Sequence, residues 1–508
     1  MSINQQRTEL INLKKNGEMY RQGIVFKTSQ NSYLYDTGTG KVALLDSNAA
    51  PVISALLDSR VSVSEFESLL SYDSVVSKIA SFLIDEHLLC TPKITHFLDL
   101  DPIMSEELLQ CEQLIIELTG KCNMRCKYCT YNDHYDNARC FNNESIDFNT
   151  AKKAIDYAYS HRSNKMFAIT FYGGEPLLNF EVMKQSINYC LTAYKDVKTN
   201  FAFTTNLTLM TQERAEYFAQ VPNLSIVVSL DGPEEIHDQN RRLANGAPSF
   251  KVAFCGLQNL CRAIQRFGHI EVMINTVLMP PYTKEKFSQI NEFFESLAFM
   301  PSNAMVSATY PVPGSIPEAY MKSLYRDGYK PEKDVDWVQW AIGMAVKKNC
   351  LPISPNLYSD FMRKSLGSIH NRRLVDEPID KYCWNACCIP ANRRLYVCTN
   401  GNYKVCEKIG EAPIIGHVDT GIDFETVKKY YLSQYEQASI PDCSNCWAIN
   451  LCDICYAECY NSQGIDIKRK RLICHNTRNS ALLKLCMYHE VLESNPDIIK
   501  QISLIERS

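Results

Sequence analysis

The sequence predicts an α/β protein of several domains built on a parallel sheet or partial barrel. Three observations predict it. Short apolar runs alternate with longer amphipathic segments from Leu114 to Met279; three short strands and two helices precede them; and cysteine, absent before Cys90, crowds the end of the chain, with 12 of the 22 residues between Cys383 and Cys486. A chain of 508 residues has ample length for two to four domains and a large core. Hydrophobic residues at 45% and charged residues at 22% argue against disorder. A net charge of -4 gives no general attraction for nucleic acid or anionic membrane. The opening MSINQQRTELINLKKNGEM lacks a signal-type apolar core and no run of 18 apolar residues occurs, so a cytoplasmic location without membrane contact is expected.

Residues 19–45 read as strands in GIVFKT, SYLYDT and KVALLD, where apolar and β-branched residues alternate between Gly, Asn and Ser. SNAAPVISALLDS and DSVVSKIASFLIDEHLL follow with apolar spacing near 3.6 and Ser or Asp at N-cap positions. This first module spans 1–100 and ends near the linker KITHFLDLDP. The core, 112–310, runs LIIELT, helix FNTAKKAIDYAYSHR, MFAITFYGG, helix EVMKQSINYCLTAYK, FAFTTN, helix TQERAEYFAQ, LSIVVSLDG, helix AFCGLQNLCRAIQRF and IEVMINTVLM. Such alternation implies crossover connections, with function at the carboxyl ends of the strands. Residues 281–380, rich in Pro and Tyr, show no clear periodicity; 311–380 is expected to connect and to face substrate. The tail, 381–508, is expected to be held by bound metal more than by apolar packing, and its basic run Lys468 to Arg471 to be a solvated face.

In a cytoplasmic chain, clustered cysteines point to metal or cluster ligation rather than disulfides. Cys90, Cys111, Cys190, Cys255, Cys261 and Cys350 stand alone in apolar surroundings and are expected to be buried and inert; Cys140 is expected to be structural. The stretch ELTGKCNMRCKYCTYND ends the first core strand with Cys122, Cys126 and Cys129 inside eight residues. Three thiolates can hold three irons of a 4Fe-4S cube and leave the fourth iron without a protein ligand, which suggests chemistry at that iron. Zinc is the alternative and would need a fourth ligand such as His134.

CNMRCKYC resembles the C-x3-C-x2-C signature of radical S-adenosylmethionine (AdoMet) enzymes, including the aromatic Tyr128 before the last cysteine. The resemblance implies a partial (β/α)6 TIM-like barrel. It also implies a 4Fe-4S cluster on Cys122, Cys126 and Cys129 whose open iron chelates AdoMet and whose electron cleaves it to methionine and a 5'-deoxyadenosyl radical. Tyr172-Gly173-Gly174-Glu175-Pro176 resembles the family's GGEP segment, with glycines for close backbone approach and a carboxylate to meet the AdoMet ammonium. Thr204-Thr205-Asn206 resembles the TTN run, although Leu207 stands where Gly often follows. Ser229-Leu230-Asp231-Gly232, continuing as PEEIHDQNRR, resembles the SLDGP-x-x-IHD-x-x-R stretch of peptide-modifying members; Ser229 and Asp231 would contact AdoMet, and Arg241 is either a further contact or a structural ion pair.

The tail resembles the SPASM extension of peptide-maturing radical AdoMet enzymes, which binds two auxiliary 4Fe-4S clusters. Cys388, Gly401 and Cys406, then CSNCWAINLCDICYAECY and Cys474, carry the likeness. One cluster would use Cys388, Cys406 and Cys459 with Cys383 or Cys387, and the other Cys443, Cys446, Cys452 and Cys474; either Cys452 or Cys455 is the ligand and the other spare, and Cys398 has no place in the pattern. Zinc knuckles are the alternative for this tail. The first module resembles, by pattern, the winged-helix-like PqqD-type element that reads leader peptides by strand addition. The resemblance therefore implies an oxidoreductase that takes a precursor peptide with a leader and an external one-electron reductant of flavodoxin or ferredoxin type. Its product would be a Cys sulfur-to-carbon thioether; carbon–carbon crosslinking or residue oxidation, as in anaerobic sulfatase maturation, is the alternative, and a non-catalytic electron carrier or peptide-binding protein a different class.

Overall fold

A computed structural model describes residues 1–17, 19–97, 105, 109–135, 139–163, 167–268, 270–312, 314–330, 334–348, 356–378 and 390–505. The first module opens with helix α1 (Ile3–Lys15), which the sequence pattern had not indicated; Ser2 and Gln5 close it with a reciprocal capping box. The expected strands follow as an antiparallel sheet of β1 (Gly23–Lys27), β2 (Ser32–Asp36) and β3 (Val42–Leu45), in that order. Helices α2 (Ala49–Leu57), α3 (Val63–Ser68) and α4 (Asp73–Asp85) complete it. Because side chains alternate along a strand, the sheet packs two ways. Leu34 and Leu45 join Ile53, Phe66 and Ile79 in a core of the module's own, whereas Phe26 and Tyr35 join the core of the rest of the chain.

The middle of the chain is six parallel strands in chain order: β4 (Gln113–Thr119), β5 (Phe167–Gly173), β6 (Thr199–Thr205), β7 (Leu224–Ser229), β8 (Glu271–Val277) and β9 (Met305–Thr309). Helices α5 (Phe148–Ser160), α6 (Phe180–Ala193), α7 (Gln212–Ala219), α8 (Glu234–Asn240), α9 (Phe250–Phe267) and α10 (Lys284–Glu295) stand between them. Asp147, Thr211 and Thr283 cap α5, α7 and α10 through their side-chain oxygens. Helix-facing positions of the strands (Leu114, Ile116, Ile169, Phe171, Phe201, Phe203, Ile226, Val228, Ile274) and the apolar faces of the helices (Ala151, Ile155, Leu257, Leu260) form one continuous core. Each fully buried large side chain contributes about 1.5–3 kcal/mol. Strand β9, α10 and the helix Leu357–His370 fall in the stretch that lacked readable periodicity. That helix is nonetheless anchored on the barrel: the buried carboxylate of Asp360 accepts the Ala308 N–H of β9 at 2.9 Å.

The tail does not stand apart from the barrel. Its strand β10 (Arg394–Val397) pairs parallel with β4, and β11 (Asn402–Lys404), β12 (Gly416–His417) and β13 (Gly421–Ile422) continue the same ten-stranded sheet. Leu395, Val397, Tyr403, Ile415, Tyr431 and Tyr460 are buried in the main core, so apolar packing holds the tail as well. The first module docks on it: Thr28, Asn31 and Tyr33 donate to Glu493 at 2.9, 2.8 and 2.7 Å, and Thr37 donates to the Trp447 carbonyl at 2.8 Å. Among the described residues no helix is long and apolar enough to cross a membrane.

Candidate functional site

Cys122, Cys126 and Cys129 lie on the loop that leaves β4, and all three line a cleft of about 610 Å³, open to solvent, at the carboxyl ends of the strands. Small-molecule sites span about 300–1,000 Å³, so the cleft has the size of a cofactor site, with an open side. Burial pushes the Cys122 and Cys126 thiols up to about 11 and about 12, and raises Cys129 also, while the Arg241 guanidinium pulls all three the other way. Ligation at these sulfurs therefore displaces protons from thiols that burial keeps neutral. Among the described residues no three Cys, His, Asp or Glu side chains close around one point as they do for a single metal ion; a cube spreads its ligands over separate irons. His134 is engaged elsewhere, its Nε2 lying 2.7 Å from the Ser315 carbonyl oxygen.

Two neighbouring segments fix the cysteine loop. On one side, Gly173 and Gly174 let the end of β5 press against it: a Cβ on Gly174 would lie 2.1 Å from the Lys121 carbonyl oxygen, and Gly173, at φ +143°, would bring one 2.4 Å from that of Thr119. On the other side, residues 240–244 bind its backbone. Lys127 N–H donates to Asn240 at 2.9 Å, Arg125 N–H to Arg242 at 2.8 Å, and Ala244 N–H to Asn123 at 2.8 Å. The RR pair thus serves the loop through backbone as well as side chain, which residue types alone do not disclose.

Of the residues singled out for AdoMet, Tyr128, Gly173, Gly174, Glu175, Thr205, Asn206 and Ser229 line the cleft with the thiols. Glu175, 1% exposed, ties the strand ends together: its carboxylate accepts Thr205 Oγ1 and Asn206 N–H at 2.8 Å each and Leu177 N–H at 3.1 Å. Desolvation raises its pKa against those hydrogen bonds. Pro176, buried, opens the short helix Pro176–Asn179 behind the cleft. Asp231, 0% exposed, stands outside the lining: its carboxylate accepts Tyr128 OH at 2.8 Å and Val277 N–H at 3.1 Å. Arg241 donates to the same Tyr128 oxygen at 2.7 Å, so Asp231, Tyr128 and Arg241 form one buried chain ending at the cysteines. Leu207 takes the left-handed conformation, φ +67°, that the glycine of the motif accommodates at no steric cost; its carbonyl packs against Gly256 of α9.

The lining also includes residues that the motifs do not name: Tyr310, Pro311 and Val312 after β9, and Glu407, Lys408 and Glu458 from the tail. Glu407 and Lys408 reach the thiols from the end of β11, where the tail extends the barrel sheet. Among the described residues Glu407 Oε2 and Arg241 Nε are buried with no hydrogen-bond partner, polar groups that a bound ligand can satisfy. Three thiols, a guanidinium and these orphan atoms fit an iron–sulfur cluster with a zwitterionic nucleotide beside it.

The tail thiols fall into two groups. Cys443, Cys446, Cys452 and Cys474 act on one another electrostatically. Cys455 acts on Cys406 and on Cys459, and Cys474 acts on Cys459 as well, so the two groups adjoin. Cys383, Cys387 and Cys388 lie outside the described residues, as does Cys350. Cys398 is buried beside Ile115 and Tyr396. Of the solitary cysteines, Cys111, Cys190 and Cys261 are buried as expected, whereas Cys90 and Cys255 are exposed, as is Cys140.

A parallel barrel sheet whose first strand ends in a three-thiol loop, opposite a glycine pair and a polar strand-end rim, defines a cluster-and-nucleotide enzyme class. Residues 116–294 match the family model of the radical SAM superfamily: the chain carries a radical SAM domain and is an enzyme of that class, which uses a 4Fe-4S cluster and AdoMet. An uncharacterized protein of Methanocaldococcus jannaschii, MJ0907, is 28% identical over 312 residues, 61% of this chain and 89% of that one. A cysteine-type anaerobic sulfatase-maturating enzyme of Clostridium novyi is 29% identical over 190 residues, 37% of this chain, and the match spans about half, 48%, of that enzyme. Among solved structures, native anSMEcpe with bound AdoMet and the Cp18Cys peptide superposes with a TM-score of 0.53 at 16% identity, over 77% of this chain and 99% of that one, a likeness of fold.

Proposed function

We propose that the protein modifies a ribosomally made precursor peptide, binding its leader on the first module and forming a thioether between a Cys sulfur and a carbon of the peptide. The observation that carries the peptide reading is the meeting of two surfaces on one chain. The cleft beside the cysteine loop opens to solvent and is walled by Tyr310, Lys408 and Glu458. The three-stranded sheet has β3 as an outer strand, paired with β2 alone among the described residues, with Leu44 56% exposed on it. An edge strand with an exposed apolar side chain suits an extended peptide that adds as a fourth strand.

Cys122, Cys126 and Cys129 would hold the cavity cluster; Cys406, Cys455 and Cys459, with a partner among Cys383, Cys387 and Cys388, and the four-thiol group would hold the tail clusters. When bound, these groups supply the redox chemistry: a one-electron route to hydrogen-atom removal from a peptide carbon, and an acceptor for the electron released as carbon and sulfur join. The chain's own residues do the rest. Gly173 and Gly174 admit backbone close to the cofactor, Ser229, Asn206 and Thr205 offer hydroxyl and amide partners to its polar groups, and the Asp231–Tyr128–Arg241 chain places a buried positive charge by the thiols. The walls exclude water from a reactive carbon. The relationship to the sulfatase-maturating enzyme over 190 residues favours a second reading, oxidation of a single residue without a crosslink.

One anaerobic assay separates the outcomes. Reconstituted protein, dithionite and AdoMet are mixed with a short Cys-containing candidate precursor peptide, with and without its leader. A thioether requires 5'-deoxyadenosine release, loss of two hydrogens and loss of one alkylatable thiol, all dependent on the leader. Loss of two hydrogens with every thiol still alkylatable would replace the thioether by carbon–carbon bonding or by oxidation of a single residue, which tandem mass spectrometry tells apart by whether fragmentation between the altered positions is blocked; release of no 5'-deoxyadenosine would leave an electron carrier.

A further inference from the structure

Lys470 belongs to the basic run expected to face solvent, yet it is 1% exposed. It sits in the first turn of the long helix Ile467–Ser494, four residues before Cys474, so that both side chains share a face. Its ammonium lies 3.7 Å from Cys443 Sγ and 3.8 Å from Cys474 Sγ, with the Tyr435 ring 5.7 Å away. Cys459 and Cys452 are the further thiols that act on it. Arg471, next along the run, turns outward instead to Asp442 at 2.8 Å.

An ammonium taken out of water costs several kcal/mol unless an opposite charge faces it. Neutral thiols are weak acceptors and provide none. The acceptors its ammonium reaches are the Cys443 and Cys474 sulfurs, and ligation of iron makes them thiolates. An iron–sulfur cube held by four thiolates is a net anion, more negative by one electron when reduced. A fixed cation in contact with two of its sulfurs stabilises the reduced form over the oxidised one, and hydrogen bonds to cluster sulfurs act in the same direction.

We infer that Lys470 is the built-in counter-charge of the cluster held by Cys443, Cys446, Cys452 and Cys474, donating to the Cys443 and Cys474 sulfurs and raising that cluster's reduction potential. This rests on reading the four thiols as a cluster site. Lys470 is a positioning and tuning residue, distant in role from the bond-making step.

The test uses the full-length chain with Cys122, Cys126 and Cys129 all replaced by Ala, reconstituted anaerobically, so that electron paramagnetic resonance reports tail clusters only. Iron per chain and midpoint potentials are measured for that chain and for its Lys470→Met, Lys470→Gln and Lys470→Arg variants. With Met, one cluster should be at least tenfold more oxidised at a fixed potential, a shift of about 59 mV for a one-electron couple; Arg should stay within about threefold and Gln fall between. If Met loses iron, the Arg-to-Gln difference decides. Equal potentials at full iron content, or equal iron loss in all three variants, would overturn the inference. Absence of any tail cluster before Lys470 is changed would instead sink the cluster reading on which it rests.

Discussion

Gly174→Ala should uncouple the cavity cluster from the rest of the fold. The new Cβ would lie 2.1 Å from the Lys121 oxygen, 2.5 Å from its carbonyl carbon and 3.0 Å from the Cys122 nitrogen. Backbone atoms cannot rotate away as a side chain would, and the Lys121 oxygen is already fixed as acceptor of Glu175 N–H at 2.8 Å. Relief to an ordinary contact requires the loop to retreat by roughly 1 Å, whereas ligand distances at a metal tolerate only about 0.2 Å. Overpacking of this kind costs about 1–3 kcal/mol, or about tenfold to a hundredfold in the equilibrium that seats Cys122. The measurement is iron per chain after anaerobic reconstitution, alongside urea unfolding of the metal-free protein. The variant should lack one cluster's worth of iron, keep its tail clusters and unfold at lower urea. Gly343→Ala, where a Cβ would meet nothing within 4 Å, serves as the control and should keep all its iron. Full iron and an unshifted urea midpoint in Gly174→Ala would refute the close-approach argument.

Other perturbations have equally definite outcomes. Burial lowers His237 to about 3, and its Nδ1 accepts the Asp231 N–H at 3.3 Å while Nε2 faces Ser249 Oγ at 3.0 Å. The unfolded chain thus binds the extra proton first, and stability should fall as pH drops from 6.5 toward 3, by about 2 kcal/mol at pH 5; urea midpoints of the metal-free protein at pH 7 and pH 5 check this, and His237→Gln should flatten the difference. Tyr128→Phe removes the hydroxyl joining Asp231 and Arg241 and should cost about 1.5–3 kcal/mol, read by urea unfolding, with weaker AdoMet binding by equilibrium dialysis. Cys455→Ala and Cys452→Ala should each lower iron content, with different electron paramagnetic resonance features lost; an unchanged iron count in either marks that thiol as spare. Leu44→Asp should leave stability within about 0.5 kcal/mol while weakening binding of a fluorescent leader peptide, followed by anisotropy.

The parallel sheet and the thiol loop were legible because both are local: strand and helix periods and an eight-residue spacing are written in consecutive residues. Strand β9 and the helix Leu357–His370 were not, because Pro and Tyr break the pattern and distant partners such as Ala308 stabilise them. For the site, the motifs named most of the lining, yet they could not show that Asp231 stands behind Tyr128, since a motif records order and not depth. Glu407 and Lys408 were invisible as cleft residues, because the tail's extension of the barrel sheet carries them there. The same holds for Lys470: among its basic neighbours it looks like surface, and helix phase alone turns it inward.

That β10 lies against β4 also bears on how such an enzyme can be rebuilt. The strand that delivers the radical-generating loop has the tail itself as its outer neighbour, so cutting the chain ahead of residue 390 would strip β4 and leave an unpaired, apolar border prone to self-association. Grafting a foreign tail would have to reproduce that ladder, register by register, before any cofactor chemistry could be compared.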